Sequence, residues 1–384
     1  MSRLDKNPDA IVIGAGIVGA CSALSLTNAG LKVMIIDRGT VASGTTGAGE
    51  GNILVSDKDP GAELVLALRS RDLWFEMQED VGDTFELEAK GGVVVARTDD
   101  SQLMTLAKVQ SANGVTAQVV DSKELHQLEP YLHPEISSGV FYPQDAQCQP
   151  MLAAAKIIQT VIARGASLVS QSRVLGFDVK DGAINAVNTT TGKYSAPIVI
   201  NAAGTWAGEI AALAGSNLPV APRRGFILVT EPAPQYIFHK VYDSDYVANV
   251  ASSDADLQTS TVVEGTRSGT ILIGASRERV GFDGSMNYEI LRKLAQQAVS
   301  LFPVLRDVQL LRAYRGFRPY APDHLPLIGE DYVIKGLWHS AGHEGAGIGL
   351  APGSAALITD SILGRNSFMD ATPFSPERFS GVSV

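Results

Sequence analysis

Cysteine is scarce: two residues in 384, Cys21 and Cys148. That is too few for a disulfide framework or a four-thiolate metal site, so no metal is expected and a reducing cytoplasm is the simplest compartment. Positive charge is also short. Lys and Arg number 31 against 41 Asp and Glu, a net charge of −10 with no basic run. Nucleic acid and anionic membrane are therefore poor partners. No stretch reads as a membrane span. In "MSRLDKNPDAIVIGAGIVGA", Asp5, Pro8 and Asp9 precede an apolar run rich in glycine rather than leucine, which suits strand, turn and helix better than an export signal. The stretch 336–363 carries two histidines, a glutamate and a proline, and no direct membrane insertion is expected from it. Repeats and low-complexity tracts are missing too.

What the chain does have is glycine, 38 residues of it, which hints at several places where backbone comes close to something. "DAIVIGAGIVGACSALSLTNAGLKVMIID" (9–37) reads as a βαβ unit: a β-branched run, a helix to about Asn28, and a second buried strand. Inside it, Gly14-Ala15-Gly16-Ile17-Val18-Gly19 follows a strand, opens a helix and is answered 18 residues later by Asp37. Those contexts turn a weak pattern into a dinucleotide fingerprint. Gly14 allows the tight turn, Gly16 the approach of a pyrophosphate, and Gly19 the close seating of helix on strand. The helix N-terminus offers N–H groups to phosphate. Asp37 is placed for the adenosine ribose, and Arg38 follows it into the same candidate site.

The fingerprint alone does not separate FAD from NAD. A second glycine-rich loop, "GTTGAGEGNIL" (44–54), follows the ribose-binding acid and would supply donors for a longer cofactor. FAD is therefore expected, with Thr45 and Thr46 at the pyrophosphate and ribityl region and Glu50, Gly51 and Asn52 passing beside the ring. Glu50 has three readings: a solvated loop carboxylate, a partner for a substrate nitrogen, or one for a cofactor hydroxyl.

Elsewhere, helices are expected over 102–112, 122–130 with Ser122 as N-cap, 150–165, 287–300 and 352–363. "VKDGAI" (179–184) signals a hairpin. "APIVINAAG" (196–204) reads as a buried parallel strand, and 219–273 as mostly strand. The expected class is α/β plus β. A Rossmann-type cofactor domain (1–85, 146–217 and 313–384) is interleaved with an antiparallel-sheet substrate domain (86–145 and 218–312).

The opening βαβ, "VINAAGTWAGEIAALAG" (199–215), "YRGFRPYAPDHLPLIG" (314–329) and "HSAGHEGAGIGLAPG" (339–353) resemble the D-amino-acid oxidase family of FAD enzymes. Finer details ("GEGNILVSD", "STVVEGTR", "IGASRERVGFD") look most like the β subunits of D-hydroxyproline dehydrogenase and of opine (octopine or nopaline) oxidases; the hydrogen cyanide synthase subunit is also similar. The resemblance implies cofactor contacts at Val174, Ala203, Gly204, Trp206 and Gly316. It implies more along the "GHEGAGIG" segment: His343, Glu344, Gly345, Ala346, Gly347, Ile348 and Gly349. Arg318 would bind the substrate carboxylate, a task that suits a planar fork of donors. His343 is read as a backbone anchor or a substrate contact; with Arg318, Glu50 and Asn52 it completes the candidate catalytic set.

Two departures carry weight. Gly345 stands where glycine oxidase carries a second carboxylate-binding arginine, leaving room for a bulkier substrate. The "RPYAPD" stretch lacks the cysteine that tethers FAD in single-subunit sarcosine oxidases, so FAD should be held non-covalently. The implied reaction is hydride transfer from the substrate Cα to flavin N5 of an amino or imino acid. Electrons would pass to an α subunit, and possibly a small γ subunit, of a heteromeric dehydrogenase, with membrane association only through such partners. A peroxide-forming glycine, sarcosine or D-amino-acid oxidase is the alternative, as are a hydroxy-acid enzyme of the same fold and a non-enzymatic flavoprotein scaffold.

Overall fold

A computed structural model describes residues 8–97, 99–244 and 257–381 of the chain. The opening unit is β1 (Ala10–Ile13), α1 (Ile17–Asn28) and β2 (Val33–Ile36). A short 3-10 turn (Thr45–Ala48) leads to β3 (Asn52–Ile53) and the long α2 (Ala62–Val81). Then come β4 (Gly92–Ala96), α3 (Ser101–Ser111), β5 (Gln118–Val120), α4 (Ser122–Leu128), β6 (Ser138–Tyr142) and β7 (Ala146–Gln147). After α5 (Pro150–Ala163) follow β8 (Ser167–Val169), β9 (Val174–Lys180), β10 (Ala183–Thr189), β11 (Lys193–Ser195), β12 (Ile198–Asn201) and α6 (Ala207–Leu213). The rest is β13 (Ala221–Thr230), β14 (Lys240–Asp243), β15 (Gln258–Gly265), β16 (Ile271–Arg277), α7 (Tyr288–Leu301), β17 (Leu310–Tyr320), β18 (Leu327–Glu330), β19 (Leu337–Ala341) and α8 (Gly347–Leu363).

Six strands form the first sheet in the order β18-β19-β12-β1-β2-β8, parallel except for the antiparallel edge strand β18. Its strands are buried on both faces. Ala10, Val12, Val33 and Ile35 pack with α1, α2, α5 and α8, whereas Ile11, Ile13, Met34 and Ile36 pack against the β9–β11 meander. Double burial explains the unbroken apolar runs. The meander turns at Asp181 and Gly182, both at positive φ, as the hairpin signal requires.

The second sheet has eight strands, β17-β13-β16-β15-β14-β4-β6-β5. It departs from the all-antiparallel expectation, because β14 and β4 pair in parallel from Lys240–Gly92 to Asp243–Val95. The two strands lie far apart in sequence, so no hairpin dictates their direction. One face of this sheet (Val93, Val95, Phe226, Leu228, Ile273) buries against Ile290, Leu294, Ala298 and Leu301 of α7. The opposite face looks toward the first sheet. β17 pairs with β13 along its length, from Tyr320–Ala221 to Leu310–Thr230, so the boundary expected at 312/313 falls within a strand of the second sheet.

Two local expectations are corrected. Asp121, not Ser122, caps α4: its carboxylate accepts the Glu124 N–H at 2.9 Å, and Glu124 returns a bond to the Asp121 N–H at 3.1 Å. A carboxylate with Glu three residues on makes the reciprocal box that a hydroxyl one position later cannot. The last helix starts at Gly347 rather than 352, with Pro352 inside it. Glu344–Leu363 is also long and apolar enough, by length and composition, to cross a membrane, although most of it is buried within the fold.

Pro352 lacks an N–H and so leaves the Ile348 carbonyl without its helical partner. Trp74 of α2 supplies one, Nε1 donating to that carbonyl at 3.0 Å. One turn on, Ser70 bridges a second gap: the Gly353 N–H donates to Oγ at 2.9 Å and Oγ donates to the Gly349 carbonyl at 2.6 Å. Both side chains are buried. Ser70→Ala should lower stability by about 1–3 kcal/mol, the range for stranding a buried backbone group. Urea denaturation measures it; a change within error would show that α8 closes the gap unaided.

Candidate functional site

A cavity of about 800 Å³ opens where the carboxyl ends of β1, β2 and β12 face the second sheet. That is where open parallel sheets bind ligands. Gly14 sits at the end of β1 with φ +116°, and a Cβ there would fall on the Ala202 carbonyl. Gly19 lies against the Gly14 carbonyl, as close helix seating demands. Gly16 caps α1 without a side chain, and the Ile17 N–H donates to Thr46 Oγ1 at 3.0 Å. Gly14, Gly16, Ile17 and Val18 line the cavity, whereas Ala15 and Gly19 do not. Their work is structural: the Ala15 N–H donates to Asp37 Oδ2 at 2.7 Å.

Asp37 holds two loops at once, since Oδ1 accepts the Gly39 N–H at 2.7 Å. Each oxygen keeps a lone pair, and the residue lines the cavity beside Arg38, Val174, Ala203 and Gly204. Arg38 lies 3.7 Å over the Trp206 ring, which stacks in turn on Phe282 with centroids 5.6 Å apart. Arg38 and Trp206 therefore make one wall.

The loop over 44–54 departs in part from its reading. Thr45, Thr46, Gly49, Glu50 and Asn52 line the cavity, but Gly51 does not. A side chain at Gly51 would collide with the Cys148 carbonyl, and the Cys148 N–H bonds the Gly51 carbonyl at 3.0 Å. Its lack of a side chain serves packing. The hydroxyls of this loop are also engaged within the protein, Thr45 Oγ1 donating to the Phe317 carbonyl at 2.7 Å. Gly316 lines the cavity and lets β17 press against Ala48.

At the other end, His343, Glu344, Gly345, Gly347 and Ile348 line the cavity; Ala346 and Gly349 do not. Gly349 instead meets the β3 backbone, where a Cβ would stand 3.2 Å from the Asn52 carbonyl oxygen. Glu344 engages neighbours, with Oε1 2.9 Å from His324 Nδ1 and Oε2 3.5 Å from Arg223 Nη1. The expected backbone anchor at His343 is corrected: Nε2 pairs with the Ser354 hydroxyl at 3.0 Å. Burial pushes this imidazole down to about 4, so it is neutral at neutral pH.

Arg318 projects from β17, and Nη1 donates to the Ser276 carbonyl at 2.8 Å. Gly225 lies beneath it, where any Cβ would strike the guanidinium. Gly345 stands beside it, a Cβ there falling 3.5 Å from Nε. Glu50 is buried, and its Oε2 accepts from Asn52 Nδ2 at 3.3 Å. Behind them Lys240 Nζ donates to Asn52 Oδ1 and to Glu264 Oε2, the latter at 2.5 Å. Gly225, Ile227, Lys240 and Glu264 were missed from sequence. Gly225 left a signal, a glycine interrupting the strand pattern "RRGFILV". Lys240 left none.

The donor set fits an adenine dinucleotide carrying a ring system: the starts of α1 and α8 opening on the cavity, the Asp37 carboxylate, and glycines that let the backbone approach closely. Neither cysteine lines the cavity, and both are buried. Residues 9–361 match the model of the DAO family, described as FAD dependent oxidoreductase. The chain belongs to this family. It is an FAD-dependent oxidoreductase, with the Rossmann-type domain and sheet-rich second domain of that fold.

Among its relatives, glycine oxidase of Geobacillus kaustophilus is 28% identical, covering 97% of each chain. Hydrogen cyanide synthase subunit HcnC of Pseudomonas aeruginosa is 27% identical over 98% of this chain and 97% of its own. Among solved structures, L-proline dehydrogenase from P. horikoshii superposes with a TM-score of 0.89 at 25% identity, covering 98% of this chain and 99% of that one.

The His343 environment fixes a pH dependence. Its folded value of about 4 lies below the ordinary 6.5, so between these pH values the unfolded chain binds more protons. The contribution is complete above pH 6.5 and is lost as pH falls toward 4. Relative to His343→Asn, the wild type should lose up to about 3 kcal/mol across that window and show a constant difference above pH 7. Chemical denaturation at stepped pH measures this; a flat difference down to pH 4 would mean the imidazole is solvated.

Proposed function

We propose that this chain oxidises the C–N bond of a small amino or imino acid, with proline-like acids, D-hydroxyproline and opines as the substrate class. The observation that carries the proposal is Arg318. Its guanidinium is steadied by the Ser276 carbonyl at 2.8 Å, lies over Gly225 and borders the cavity beside Gly345. A fixed, permanently charged fork bordering the cavity is suited to a carboxylate.

Bound FAD supplies the two-electron acceptor. Asp37, the α1 N-terminus and the Gly345–Ile348 segment would hold it. The chain's own share of the reaction is to fix the acid through Arg318, to align the substrate's α-carbon, and to exclude water. Alignment of this kind accounts for much of a rate enhancement without a strong base. His343, neutral and tied to Ser354, is spare for that chemistry.

Gly345 favours a substrate with bulk on its nitrogen side, because it adds no side chain beside the guanidinium. The similarity to L-proline dehydrogenase supports the same class. The similarity to a protein described as a subunit of hydrogen cyanide synthase supports a β-subunit role, with electrons leaving to an α subunit and possibly a small γ subunit.

Arg318→Met should retain FAD and lose roughly 30- to 5,000-fold in kcat/KM, as expected for removing one partner of a buried charged pair. Unchanged turnover with bound FAD would remove the carboxylate anchor. In air, the purified chain with imino acids should release hydrogen peroxide far more slowly than it reduces an artificial electron acceptor. Stoichiometric peroxide at the full catalytic rate would instead make it an oxidase of the glycine oxidase kind.

A further inference from the structure

Glu50 is 6% exposed, and its Oε1 has no hydrogen-bond partner among the described residues. A bare carboxylate oxygen shielded from water is expensive, and its persistence calls for a donor from outside the protein. The surroundings dictate which oxygen is left bare. The Lys240 ammonium can only donate, so it faces Asn52 Oδ1, and this turns Asn52 Nδ2 toward Glu50 Oε2 at 3.3 Å. Lys240 is matched by Glu264 at 2.5 Å, with both side chains 2% exposed. The ion pair balances itself, and Glu50 remains the acceptor that borders the cavity.

The position of Oε1 relative to Arg318 is set by β13 and β16 together. A Cβ on Gly225 would fall on Arg318 Nη1, whereas a Cβ on Gly274 would meet both Glu50 Oε1 and the side chain of Ile227, two residues on from Gly225 along β13. Positions two apart on one face of a strand are separated by about 7 Å. The guanidinium and the carboxylate therefore stand over the same sheet face at a spacing that suits one α-amino acid flanked by hydrogen bonds of about 2.8 Å. Because both charges rest on glycines of the second sheet, the oxygen faces the substrate side of the cavity, away from the α1 end.

We propose that Glu50 receives the substrate's cationic amino group while Arg318 receives its carboxylate, so that the two together select α-amino acids over α-hydroxy acids. Asn52, Lys240 and Glu264 are positioning residues for Glu50. The proposal rests on the amino-acid reading above and adds the residue that distinguishes nitrogen from oxygen.

The test uses the FAD-loaded protein and two isosteric probes, 2-aminoisobutyrate and 2-hydroxyisobutyrate. Neither has an α-hydrogen, so neither can be oxidised, and binding is read from the change in the bound flavin's absorption spectrum. Wild type should prefer the amino acid by roughly 10- to 100-fold, the range for a hydrogen bond to a charged group, and Glu50→Gln should bring the two within about threefold. The hydroxy acid's Kd should stay the same in Glu50→Gln, and so should FAD retention on ultrafiltration. A Glu50→Gln protein that keeps the amino-acid preference overturns the proposal, as does a wild type that shows none. Loss of FAD from Glu50→Gln with the preference intact would assign the carboxylate to the cofactor and overturn it equally. Arg318→Met should weaken both probes alike; if it binds both normally, the carboxylate anchor fails while the Glu50 comparison remains readable.

Discussion

The site depends on a helix that keeps its direction through a proline. Pro352 is the sixth residue of α8, and the segment just before it forms the cavity wall at Gly345, Gly347 and Ile348. A proline there would ordinarily kink the helix and aim its N-terminus elsewhere. Trp74 and Ser70, one turn apart on α2, replace the broken helical bonds with side-chain bonds. α2 itself makes no contribution to the cavity lining. It is nevertheless the element that sets where Gly345 lies, and hence how much room remains beside Arg318.

Two helix starts, one on each side, open on the cavity, and glycine lets the neighbouring chain pack close around them. The cofactor end is lined by residues of β1 and α1; the other end is floored by Gly225 and Ile227 of the second sheet. At both ends a single methyl group would collide with the backbone or side chains that shape the cavity. Some glycines of the "GTTGAGEGNIL" loop, Gly51 above all, admit neighbouring protein backbone instead. Glycine richness therefore marks close approach without saying whether the approaching group is ligand or chain.

That ambiguity bounds what the sequence could reveal. The βαβ unit, Asp37 and the doubly buried strands were legible because each is a local pattern: period, punctuation and spacing fall within about thirty residues. The parallel pairing of β14 with β4 was not legible, since nothing near either strand fixes the direction of a partner more than a hundred residues away. The floor beneath Arg318 is built from β13, β16 and β17, and only the interrupting glycines hint at it. Lys240 reads from sequence as an ordinary strand lysine; its burial follows from Glu264 on the neighbouring strand and Asn52 from the first domain. The proline in α8 misled for the same reason, because the groups that repair it lie on α2.

The charges of the substrate end are fixed before any ligand arrives. Arg318 is steadied by a backbone carbonyl, and Glu50 by an amide whose orientation Lys240 enforces. Neither depends on a flexible surface partner, so little side-chain order remains to be imposed on binding. His343 completes the reasoning by what it withholds. Held neutral by burial and occupied by Ser354, it adds no positive charge beside the cavity wall. On the proposed reading, a protonated imidazole there would compete with Arg318 for the acid. Selectivity at this end, on the same reading, comes from two opposite charges held over one sheet face.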